Sequence, residues 1–233
     1  MHEGQKKAWE LLGKPSDLIS RNFPFAFGSV SLLGVYWREP GGLEDTLRDM
    51  DEGLPCYLRL TRGHGAGADS VLRAEAMLMR GEDNEAEILC HKALYDARSH
   101  QQTGICINAD LILARVSILR GDPEGYANAV EDIKRCTKET RSLYLLRMAD
   151  ICIAALSLVL GSTEGVARWI WDMDHIRRAL YAPAVPLAQM LYSGVLIIEK
   201  RFSEFFGISQ SMMDLAESMH YLMPSVIHHI LLA

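Results

Sequence analysis

The chain has 233 residues, 49% of them apolar, with 24 basic and 30 acidic side chains and a formal charge of −6. That length suits one large domain or a run of repeats with a sizeable core. The acidic balance and the absence of any Lys/Arg run argue against nucleic acid or an anionic membrane surface as this segment's partner.

The N-terminal stretch Met1 to Lys14 lacks the apolar core of a signal peptide. The longest apolar run, Ile151 to Leu160, is far short of the roughly 20 residues a membrane helix needs. The five cysteines, Cys56, Cys90, Cys106, Cys136 and Cys152, are odd in number, widely spaced and without a C-x-x-C pair. They read as reduced, mostly buried thiols rather than a disulfide framework or zinc site. A soluble, cytoplasmic protein is expected, with no membrane contact.

Residues 1–67 are expected to be an atypical N-terminal part: a helix pair over 28–38 and 43–60, then a Gly-rich loop. Gly34 and Gly41 keep the repeat register, but Arg38 stands where a large apolar residue belongs. The loop Gly63-His64-Gly65-Ala66-Gly67 precedes a helix start. It lacks the lysine and Ser/Thr of a phosphate loop, and a plain inter-helix turn is favoured.

Residues 68–233 contain four segments that align at steps of forty. Gly81, Gly121 and Gly161 coincide. Ala74, Ala114, Ala154 and Gly194 form a small-residue column, flanked by Val71, Leu111, Ile151, Leu191 and by Leu78, Ile118, Leu158, Ile198. These positions lie on one helix face. In the second half of each unit, Ala86, Tyr126, Val166 and Phe206 align, as do Ala93, Ile133, Met173 and Met213. The glycines end each first helix, where a left-handed residue costs least. Cap signals follow: a capping box from Asn84 and Glu87, Asp122 before Pro123, and Ser162 leading into Glu164. Each unit therefore reads as helix, short turn, helix. The stretches Ile105 to Leu119 and Met148 to Leu160 are apolar nearly all round and are expected to be buried. The expected fold is all-α, a right-handed α-α superhelix of stacked helix pairs. The chain ends at His228-His229-Ile230 and beyond with no polar capping helix, which leads us to expect a fragment of a longer protein.

No catalytic centre is expected, because no nucleophile stands in a motif with its base. Asp172, Asp174 and His175 lack the further ligands of a metal shell and read as solvated residues at a helix end. Trp169 reads as core; Trp171 remains open between core and a stacking platform. The best binding candidates are polar residues on the apolar inner helices: Glu75, Asn108, Asp110, Arg115 and Asp150. Asp110 and Asp150 occupy equivalent places in two units, and Glu75 and Arg115 share a repeat column. Such charges need partners or water. They could contact a ligand in a concave groove or form an inter-helix salt bridge, and Arg147 could satisfy Asp150 locally.

The unit Ala74-x6-Gly81-x4-Ala86-x6-Ala93 has the small-residue spacing of a tetratricopeptide repeat, at a period of forty. A wider resemblance rests on Phe27-Gly28-Ser29, Arg59 to Ala68, Arg73-Ala-Glu-Ala76, Arg80-Gly81, His91-Lys-Ala-Leu94, Leu113-Ala-Arg115, Arg120-Gly-Asp122, Trp169-Ile and Ala182-Pro-Ala184. By these the chain resembles the helical-repeat sensor region of MalT-like LuxR-type transcriptional regulators. The resemblance implies a region that receives a small-molecule effector or a regulatory protein and controls DNA binding by a helix-turn-helix that this sequence lacks. It implies ATP only in an N-terminal switch module, since no phosphate loop occurs here, and no cofactor in this segment. A homodimer through the solenoid ends is a further expected contact. The alternative is a freestanding tetratricopeptide-type adaptor that binds a peptide.

Overall fold

The computed structural model describes residues 65–179, 185–218 and 229–232. The helix pair expected over 28–38 and 43–60, and His64, His220 and His228, lie outside the described residues. The described residues are helical, without strands. In chain order they form α1 (Ala68–Met79), α2 (Asp83–Ser99), α3 (Thr103–Arg120), α4 (Pro123–Glu139), α5 (Leu143–Val159), a 3-10 turn (Arg168–Trp171), α6 (Met173–Ala179), α7 (Val185–Ile198) and α8 (Phe202–Ser218). Among them no helix is long and apolar enough to cross a membrane.

Gly67, at φ 90°, starts α1. A Cβ there would stand 2.7 Å from the Ala93 carbonyl oxygen, so the turn at 65–67 lies directly on the α2 backbone. The next turns share one geometry. The backbone N–H of Glu82, Asp122 and Ser162 donates to the carbonyl five residues back, on Met77, Ser117 and Ser157. Gly81, Gly121 and Gly161 precede them at φ 80°, 64° and 71°. This is the left-handed closure that satisfies the last carbonyls of a helix.

Three local expectations are corrected. Asn84 and Glu87 do not cap α2: its N-cap is Glu82, which makes no side-chain cap bond. Both side chains are instead held by Arg120 from the end of α3, at 2.7 Å each. Second, Ser162 does not open a full helix. Its Oγ accepts from the Glu164 N–H at 3.0 Å, Gly165 adopts φ 86°, and the chain makes only the 3-10 turn before α6. Third, the last unit closes one residue early. Lys200 takes the left-handed position at φ 59°, and Arg201 N–H bonds the Leu196 carbonyl. The step to α8 is therefore thirty-nine, and Phe205 and Met212 are buried while Phe206 is 62% exposed.

The inner helices touch in series, α1 on α3, α3 on α5 and α5 on α7. The small-residue column lies in these contacts: a Cβ on Gly194 would meet Leu158 Cδ1 at 3.2 Å. Helix α3 also meets α2 and α4, which explains its burial nearly all round. It separates two apolar cores. Cys106, Ala109, Ile112 and Val116 face the one built by α1 and α2. Ile107, Leu111 and Ala114 face the one built with α5, α7 and Phe205 of α8.

Candidate functional site

The polar residues expected on the inner helices do not converge on one groove. Glu75 and Arg115 do meet: Arg115 Nη1 donates to Glu75 Oε1 at 2.5 Å, joining α1 to α3. This is the salt bridge that their shared column allowed for. Asn108 is buried, and its Nδ2 donates to the Gly104 carbonyl of its own helix at 2.9 Å.

Asp150 belongs to a second cluster. Its Oδ2 accepts from Trp169 Nε1 at 2.7 Å and lies 3.8 Å from Arg147, whose guanidinium covers the Trp169 ring at 4.7 Å. Burial raises the Asp150 carboxyl, and the Trp169 hydrogen bond and Arg147 lower it. Trp171 is half-buried. Its Nε1 donates to the Val166 carbonyl at 3.2 Å, so it fastens the turn before α6. Asp172 Oδ1 accepts from the N–H of Asp174 and His175 and caps α6, and those bonds lower its carboxyl. Among the described residues no group of three His, Cys, Asp or Glu side chains is placed to hold a metal ion.

Asp110 is different. It is 1% exposed, and its Oδ2 has no hydrogen-bond partner. It lines a pocket of about 300 Å³ wedged between α2, α3 and α4. Leu94, Leu113, Val116 and Ala129 supply apolar wall; Glu87, His91, Arg98, Ser117, Arg120, Asn128 and Asp132 supply the polar part. Burial pushes the Asp110 carboxyl up to about 7; Asp132 adds to this, and Arg98 and Arg135 oppose it.

The charges around Asp110 are already paired with one another. Asp132 lies 2.6 Å from Arg135 and 3.7 Å from Arg98. Arg120 holds Asp83, Asn84 and Glu87. Asp122 Oδ1 accepts from the Gly125 N–H at 3.0 Å, as its place before Pro123 led us to expect. Burial, reinforced by Glu75 and Asp110, pushes the Cys90 thiol up, so it stays protonated and is no nucleophile.

No protein-family model, curated protein or solved structure matches the chain.

The surroundings of Asp110 and Asp150 differ along the forty-residue register. Position 107 corresponds to 147, and 129 to 169. The third unit has Arg147 and Trp169 there, and both reach Asp150. The second unit has Ile107 and Ala129, which offer Asp110 neither a donor nor bulk. A buried carboxyl without a donor is costly. Here it faces space that a methyl group does not fill. Arg98, Ala129 and Asp132 drew no attention in the sequence, and His91 entered only through the segment His91-Lys-Ala-Leu94.

Proposed function

We propose that the chain is the effector-sensing helical-repeat region of a MalT-like LuxR-type transcriptional regulator. In this reading the helices belong to a right-handed superhelix of tetratricopeptide-like pairs, and a small effector enters the pocket between α2, α3 and α4. The observation that carries the site is Asp110, which is buried, has an Oδ2 without a donor, and lines a pocket of about 300 Å³. That volume falls at the lower end of small-molecule sites, roughly 300–1,000 Å³, and the wall combines an apolar side, Leu94, Leu113, Val116 and Ala129, with a larger set of polar side chains.

The pocket lies against α3, which also contacts α1 and α5. An effector bound between α2, α3 and α4 favours one packing of these helices over another. That differential affinity shifts the population of the whole repeat array. A nucleotide-dependent switch module and a helix-turn-helix outside this sequence then read the shift, in the cytoplasm. No nucleic acid contacts this segment.

A thermal-shift screen of the chain against small metabolites tests the site, with Ala129→Trp beside it. The larger side chain occupies the pocket from its Ala129 wall. At least one compound stabilises the parent chain and leaves Ala129→Trp unmoved. Compounds that stabilise both equally would place the effector elsewhere.

A second reading, a peptide-binding adaptor, draws on Ile88 and Tyr95. They are 62% and 74% exposed and sit seven residues apart on the outer face of α2. An apolar pair at that spacing suits a partner helix. Peptide capture lost in Ile88→Ser with Tyr95→Ser, together with an empty metabolite screen, favours this reading.

A further inference from the structure

We infer that the ligand of the α2–α3–α4 pocket is a small primary amine with a short apolar body, its ammonium group seated on Asp110. This rests on the reading of the pocket as the effector site and adds the chemical class.

The first argument is charge. The cations on the pocket wall have acidic neighbours: Arg120 donates hydrogen bonds to Asp83, Asn84 and Glu87, and Arg98 lies 3.7 Å from Asp132. An anionic ligand competes with these carboxylates for the cations and sits beside Asp110, a further carboxyl. The group left without a partner is an acid, Asp110. An ammonium donor gives it a charge-assisted hydrogen bond, stronger than a neutral hydroxyl can make. With little water around it, the Coulomb attraction is also less screened.

The second argument is shape and composition. Leu94, Leu113, Val116 and Ala129 form an apolar wall that a bare cation does not use. No third ligating side chain joins Asp110 and Asp132 to hold a metal among the described residues. A hydrocarbon body against the wall and one ammonium on Asp110 use both halves of the site. The volume of about 300 Å³ restricts that body to a short chain or a single ring.

The test is calorimetry on the chain with two matched series: butylamine, butanol and butyrate, then phenethylamine, phenylethanol and phenylacetate. The amine of at least one series binds, its alcohol binds roughly tenfold or more weakly, and its carboxylate does not bind. Asp110→Asn keeps the shape and weakens the amine by roughly tenfold or more while leaving the alcohol unchanged. Ala129→Trp blocks both, and Asp110→Asn carries the test alone if that variant fails to fold. An alcohol or carboxylate that matches the amine, equal amine affinity in Asp110→Asn, or no amine binding at millimolar concentration overturns the amine inference. The pocket reading survives those results if a metabolite hit is still blocked by Ala129→Trp. It falls if ligands bind that variant unchanged.

Discussion

Asp110 and Asp150 occupy equivalent positions forty residues apart, yet their carboxyl groups fare differently. Asp150 accepts the Trp169 indole N–H at 2.7 Å and has Arg147 at 3.8 Å. Asp110 is more deeply buried, and its Oδ2 has no donor. In the second unit the positions of Arg147 and Trp169 carry Ile107 and Ala129. Neither side chain can donate to a carboxylate.

Asp110 makes stability depend on pH. Its carboxyl is raised by burial, and by Asp132, from 3.8 to about 7, with Arg98 and Arg135 opposing. The folded chain therefore holds this proton more tightly than the unfolded chain. The stability it contributes is fully present below about pH 4 and is lost as pH rises through about 7. Asp110→Asn removes that loss and stabilises the chain by a few kcal/mol above pH 7, read as thermal unfolding at acid and alkaline pH.

Arg115→Ala strands the Glu75 carboxylate, whose side chain is only 7% exposed. Breaking a buried pair costs more than replacing it. The Arg115 side chain is 30% exposed, which moderates the effect. A loss of about 2–3 kcal/mol is expected in urea unfolding, and Glu75→Met with Arg115→Met recovers most of it.

Arg120 ties the end of α3 to the start of α2 through Asp83, Asn84 and Glu87. These groups are solvent-accessible, so screening weakens the pairs. Arg120→Ala lowers the melting temperature slightly, and the difference shrinks as salt is added.

Lys200 and Gly121 take the same left-handed turn position with opposite consequences for substitution. Lys200 has φ 59° and Gly121 φ 64°. A side chain there costs about 1 kcal/mol. Lys200→Gly stabilises the chain by about that amount. Gly121→Ala destabilises it similarly, although its Cβ would meet nothing within 4 Å. Denaturant midpoints of the two variants move in opposite directions.

What could be read from the sequence was set locally. Gly81, Gly121 and Gly161 end their helices, and Asp122 with Pro123 starts α4, because each signal acts within one turn of backbone. Asn84 and Glu87 misled, because Arg120, more than thirty residues away, competes for both side chains. Phe206 misled because closure at Lys200 shifts the register by one residue. Asp110 stood out as a charge on an apolar helix. Its difference from Asp150 became visible only once α2 and α4 were known to frame a pocket around it. Glu75 and Arg115 share one column, and they pair directly.

The central claim is that, among the described residues, no donor pairs with Asp110 Oδ2. The most direct measurement is a carbon-13 NMR titration of its side-chain carboxyl in the 233-residue chain. The account predicts a midpoint near 7, well above the ordinary 3.8, and a fall when a pocket ligand is added. A midpoint in the ordinary carboxylate range without ligand would mean that the protein already supplies a donor, and would contradict the pocket's assignment as the effector site.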